Sequence, residues 1–198
     1  MSKGVTEEDL KILSTPDAEI IEQTQARWSF DHDGFVVRLK EGGRWQQLMV
    51  THVYLEHVID ELLREAIAFP DEISFSRMPF SQRVSLSRAL DLLPSDLVAA
   101  IRRVSKMRNE VAHNLIFEIE DDAVKDLENC TPVELRKAIK EDSKIDYDGN
   151  KFLELLNGIL IYTEILRQRH NAVRILDRKS KIRLRTVLDK TPGANYVK

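Results

Sequence analysis

Apolar residues recur along this chain at intervals of three and four, most clearly at Leu48, Leu55, Ile59, Leu62 and Ala66. At about 3.6 residues per turn such spacing draws one stripe along a rod, so a helix is predicted from Arg44 to about Ala68. His52 falls in line with that stripe, and Phe69-Pro70 ends it. A compact helix is predicted from Ser81 to Leu93, closed by Pro94. Ser95 then caps a further helix running to about Leu115, with Asp96 well placed against the helix dipole. Leu97, Ile101, Val104, Val111 and Leu115 fall within roughly 40° of one direction on that helix. A last long helix begins near Asn150 and continues at least to Arg169. Phe152, Leu156, Ile159, Thr163 and Leu166 form its centre, and Leu153, Leu155, Leu160 and Tyr162 widen its apolar face. A face that wide suits a helix buried on several sides.

Shorter elements fill the gaps. A brief helix is predicted near Glu7 to Leu13, then one opened by Thr15-Pro16-Asp17 that runs to about Trp28. Asp33-Gly34 and Gly42-Gly43 bracket Phe35-Val36-Val37-Arg38-Leu39, which predicts a turn, a short extended segment and a break. Asp121 to Asn129 reads as a short helix. Thr131-Pro132-Val133-Glu134 is a capping box that starts another, to about Lys140. The expected architecture is all-α: a helical bundle over 44–170, an N-terminal helical extension over 1–43 and a basic C-terminal tail over 171–198.

Composition agrees with this picture. Charged residues make up 32% and aromatics 7%, with only 7 Gly and 6 Pro in 198 residues, which favours helices over a β-sandwich. The single cysteine, Cys130, excludes an intrachain disulfide framework and a multi-cysteine zinc site, and fits a reducing compartment. The first nine residues place no apolar core behind a basic head, and no apolar run approaches the roughly 20 residues of a membrane span. A cytoplasmic protein without a membrane partner is expected.

Charge changes the picture more. From Arg167 to Lys190 nine basic residues meet only Asp177 and Asp189, formally +7, so the rest of a chain of net charge −3 carries −10. Arg178, Lys179, Lys181, Arg183 and Arg185 are therefore candidate contacts to a nucleic-acid backbone. The alternative is a solvated helix face, or a basic arm docked on the acidic remainder of the same or a second subunit.

The motif Arg108-Asn109-Glu110-Val111-Ala112-His113 holds the candidate chemistry. Arg108 points down the middle of its helix's apolar side, and a guanidinium that keeps its proton needs a partner or a function there. Asn109 and His113 are spaced i, i+4 and share a neighbouring face with Arg102 and Lys106. In a structural reading Arg108 pairs with Glu56 or Asp60, and His113 caps the end of its helix. His52 is expected to be a hydrogen-bonded core histidine, His57 and His170 surface residues, and Trp28 and Trp45 packing at a helix junction. The sequence contains no His-Glu-x-x-His, no carboxylate cluster at ligand spacing and no Walker-type glycine loop.

An arginine, four to six residues and a histidine on the third core helix of an all-α bundle resembles the HEPN superfamily. In many of its members an asparagine follows the arginine, as Asn109 does here. The order from Phe80-Ser81-Gln82-Arg83 through Asp96-Leu97 and Ile101-Arg102-Arg103-Val104 to Met107-Arg108-Asn109 is similar to the branch containing the mannitol operon repressor family. The resemblance spans about Arg44 to Arg169. One departure is Leu115, where the toxin branch carries a tyrosine two residues after the histidine.

The resemblance implies a homodimer that cleaves or processes RNA without metal or other cofactor, at a cleft where two copies of the motif face each other. A role in stress response or phage defence, with an antitoxin or other protein partner, goes with it. His113, with an ordinary pKa near ~6.5, would move protons. Arg108 would hold charge growing on the phosphate oxygens. Asn109 would orient the phosphate or the imidazole, and Lys106 and Arg102 would draw the backbone in. The mannitol-repressor branch implies instead a non-catalytic transcriptional regulator acting through protein contacts.

Overall fold

The computed structural model describes residues 6–113, 118–141, 147 and 149–190, without the side chains of 188–190. Every regular element among them is helical: α1 (Glu7–Ser14), α2 (Asp17–Ala26), α3 (His32–Lys40), α4 (Arg44–Ala66), α5 (Phe80–Ala89), α6 (Ser95–His113), α7 (Asp121–Cys130), α8 (Val133–Glu141) and α9 (Lys151–Lys190). Two 3₁₀ turns, Pro70–Glu72 and Phe75–Arg77, fill the passage from α4 to α5. No described helix is long and apolar enough to cross a membrane.

Contacts divide the chain into two compact units: Trp28–Arg167, and the described residues on either side of it. In the larger unit the predicted stripes meet. Leu48, Leu55 and Ile59 of α4, Leu97, Ile101 and Val104 of α6, and Leu156 and Ile159 of α9 are wholly buried in one apolar cluster. Helix α4 packs on α3, α5 and α6, and α6 packs also on α7. Leu115, expected on the α6 stripe, lies outside the described residues.

The extended segment expected between Asp31 and Gly43 is instead helix α3. Asp31 caps it, accepting the Gly34 N–H at 3.0 Å, so Asp33-Gly34 falls in the first helical turn and not in a hairpin. Phe35 and Leu39, one helical turn apart, are both fully buried and join the apolar cluster of the larger unit. This helix joins the larger unit, which therefore begins near Trp28 and not at residue 44.

Thr15 and Thr131 also act differently from expectation. Their hydroxyls donate to the carbonyls of Lys11 and Leu127, both at 2.8 Å. Each thus closes the helix before it by bonding a carbonyl of its last turn, and the Lys11 carbonyl also accepts the Thr15 N–H at 3.1 Å. Trp28 stands edge-on to Phe30 with centroids 5.7 Å apart, as a junction residue should. Trp45, also expected at a helix junction, is 54% exposed.

One ionic anchor is fully internal to the larger unit. Glu164 has no exposed surface, accepting from the Ser29 N–H and hydroxyl at 2.8 Å each and from Arg167 at 2.9 and 2.7 Å. Arg167 reaches Glu65 as well, at 2.5 Å. The first cation of the basic stretch is therefore engaged inside the protein.

The segment expected as a tail from residue 171 continues α9 to Lys190. No glycine or proline falls between residues 171 and 190, and Ala172, Ile175, Lys179 and Ile182 recur there at helical spacing. In the smaller unit this part of α9 meets the two N-terminal helices. Arg178 forks onto Glu8 at 2.9 and 3.2 Å and onto Asp9 at 3.1 and 2.7 Å. Lys179, 2% exposed, bonds the Thr15 carbonyl and Asp17. Hydrogen bonding to Arg178 holds the Glu8 carboxyl below its ordinary value, and Lys179 does the same for Asp17. The Asp9 carboxyl is lowered by the Thr6 backbone N–H, by the Thr6 hydroxyl and by Arg178.

Candidate functional site

Two carboxylates one turn apart on α4 organise the polar seam beside the motif helix. Glu56 and Asp60, spaced i, i+4, point the same way and together fit one planar fork. That fork is Arg83 of α5, whose Nη2 lies 2.9 Å from Glu56 Oε2 and Nη1 2.5 Å from Asp60 Oδ1. Arg83 is 8% exposed. The structural reading of Arg108 as the partner of Glu56 or Asp60 is thus corrected: another arginine has taken both.

Arg108 itself is half-buried, and its Nε is buried without a hydrogen-bond partner. Nη1 donates to Asn109 Oδ1 at 3.2 Å, a weak exposed contact. Among the described residues it makes no ion pair. His113 ends α6 with an exposed side chain and forms no hydrogen bond or ion pair among the described residues. Arg108 and Asn109 are therefore brought together, with His113 one turn beyond Asn109 on the same helix.

The flanking cations lean elsewhere. Arg102 donates to the Ser85 hydroxyl on α5 at 3.1 Å. Lys106, with a side chain 71% exposed, lies 3.9 Å from Glu110. Of the basic-stretch candidates, Lys179 is buried and salt-bridged to Asp17. Arg178 is held by Glu8 and Asp9, and Lys181 pairs with Asp177 at 2.5 Å. Arg183 and Arg185 are exposed.

His52 lies in the same seam, next to Glu56. It is 3% exposed, lies edge-on to Phe80 at 4.7 Å and approaches Glu56 Oε1 with Nδ1 at 3.1 Å. Its Nε2 is buried without a partner. Burial lowers its pKa; Glu56 opposes the shift, while Arg108 and Arg83 reinforce it. The folded protein therefore holds this imidazole neutral at a pH where the unfolded chain takes up a proton. Stability contributed by neutral His52 is complete above the ordinary value near ~6.5 and is lost as pH falls through the lowered folded value. Urea unfolding at about pH 7.5 and about pH 5.5 should show a smaller acid loss in His52→Gln than in wild type. Equal losses would show that His52 does not control that slope.

Sequence reasoning missed Arg83, although a signal was present. It sits three residues after Phe80 and one before Val84, both buried, so it falls on the inner face of α5 by the argument that singled out Arg108. His57 is exposed, with Nε2 2.8 Å from the Ser29 carbonyl oxygen. Among the described residues no group of three or more His, Cys, Asp or Glu is placed to hold a metal ion.

No protein-family model, curated protein or solved structure matches this chain. The site is therefore read from its own chemistry: a solvent-reached imidazole, and a cation and an amide close together at the edge of a buried ionic seam.

Proposed function

We propose that this protein is a HEPN-type, metal-independent RNA endonuclease or RNA-processing protein that works as a homodimer. The observation that carries the reading is Arg108: a guanidinium on the inner side of α6, half-buried, with no ion pair among the described residues. A charge kept in such a place with only a neutral amide for company suits an anion that arrives from outside.

In the reaction, the ribose 2′-oxygen forms a bond to phosphorus while the bond from phosphorus to the 5′-oxygen breaks. The imidazole of His113 in one copy accepts the 2′-hydroxyl proton, and the imidazolium of His113 in the second copy returns a proton to the leaving 5′-oxygen. Arg108 meets the charge growing on the non-bridging oxygens with two parallel N–H groups. Asn109, already bonded to Arg108, keeps that fork oriented. The products are a 2′,3′-cyclic phosphate and a 5′-hydroxyl end. Stress response or phage defence is the setting we propose for such an activity.

Purified protein incubated with a mixed RNA pool in EDTA should yield fragments with those ends. An intact pool would overturn the nuclease reading and leave the non-catalytic regulator in its place.

A further inference from the structure

The smaller unit contains a cleft of about 420 Å³ between α1, α2 and the later part of α9. That is the size of a small-molecule site, and its lining has two distinct characters. Ile12, Ile20 and Ile175 supply apolar surface, one from each helix. Lys11, Arg27 and Arg174 supply positive charge. The one acid on the wall, Glu8, has both oxygens held by Arg178, so it neutralises a cation that Asp9 also engages. Among the described residues neither Lys11 nor Arg174 forms an ion pair, and the bond Arg174 does make, to Asn171 Oδ1, is 3.3 Å long. The cleft therefore keeps an excess of positive charge beside an apolar wall.

We propose that this cleft binds a small organic phosphomonoester, its dianion between Lys11 and Arg174 and its apolar body over Ile12, Ile20 and Ile175. Two cations that form no salt bridge among the described residues match a dianion better than the single charge of a carboxylate. A cleft of this volume suits a small molecule. None of these residues belongs to the Arg108–His113 motif, so the proposal stands or falls apart from the nuclease reading.

Fluorescence titration with methylumbelliferyl phosphate tests it in the full-length protein. Saturable binding is expected, weakened about tenfold or more in Lys11→Glu/Arg174→Glu, a change of ~1.4 kcal/mol. Methylumbelliferone, which lacks the dianion, and inorganic phosphate, which lacks the body, should each bind at least about tenfold more weakly. Ile175→Trp fills the cleft without altering its charge and should also abolish binding, which covers the case in which charge reversal disturbs folding. Equal affinity in wild type and both variants would overturn the proposal, as would absence of saturable binding to wild type.

Discussion

Replacing His113 by alanine will remove RNA cleavage and leave the protein as stable as before. A positioned imidazole that transfers protons contributes about 10²- to 10⁴-fold to rate, and the loss should fall in that range. The side chain is exposed at the end of α6 and bonds to no described residue, so folding should change by no more than about 0.5 kcal/mol. Cleavage gels in EDTA, read beside thermal melts of the same samples, separate the two effects. Arg108→Ala should lose activity equally, with a somewhat larger stability cost because its half-buried stem packs on the helix surface. Unchanged cleavage in His113→Ala would remove that residue from the mechanism.

Arg83→Ala will be the most damaging single substitution in the seam. It strips the shared partner from Glu56 and Asp60, whose side chains are 35% and 23% exposed. Breaking a buried pair by deleting one member costs about 3–5 kcal/mol, and partial access of water to both carboxylates places this case near ~3 kcal/mol. For a chain of this size that corresponds to a fall in Tm of about 6–12 °C. Set against the mild effect expected for Arg108→Ala, the contrast assigns the two arginines different work. Should Arg108→Ala lower Tm as far as Arg83→Ala, Arg108 would be a structural residue and the proposed site would lose its cation.

Much of the helical framework was legible in the spacing of apolar residues. The stripes on α4, α6 and α9 mark buried faces at Leu48, Leu55, Ile59 and Leu62, at Leu97, Ile101 and Val104, and at Phe152, Leu156 and Ile159. Ala66 at the end of α4 is exposed, and Phe69-Pro70 and Pro94 fall at breaks in helix. Two kinds of feature were not. Local turn chemistry misled around α3, because Asp-Gly serves a hairpin and a capped first turn equally well, and the choice was made by the distant packing of Phe35 and Leu39. Ion-pair partners were harder still. Periodicity says that Glu56 and Asp60 share a face but not which arginine reaches them, since Arg83 and Arg108 arrive from different helices. The basic stretch was visible as charge, while its engagement with Glu8, Asp9 and Asp17 depends on chain segments some 160 residues away.

That last set of contacts has a consequence for the order in which the molecule comes apart. Helix α1 contributes no buried residue and α2 only Ile20 and Thr24, so carboxylates largely open to water carry much of their attachment. Brine weakens such links and acid protonates them, whereas the apolar centre beneath α4, α6 and α9 feels neither directly. The first amides to exchange and the first peptide bonds offered to a protease should therefore belong to these two opening helices, well before the bundle yields.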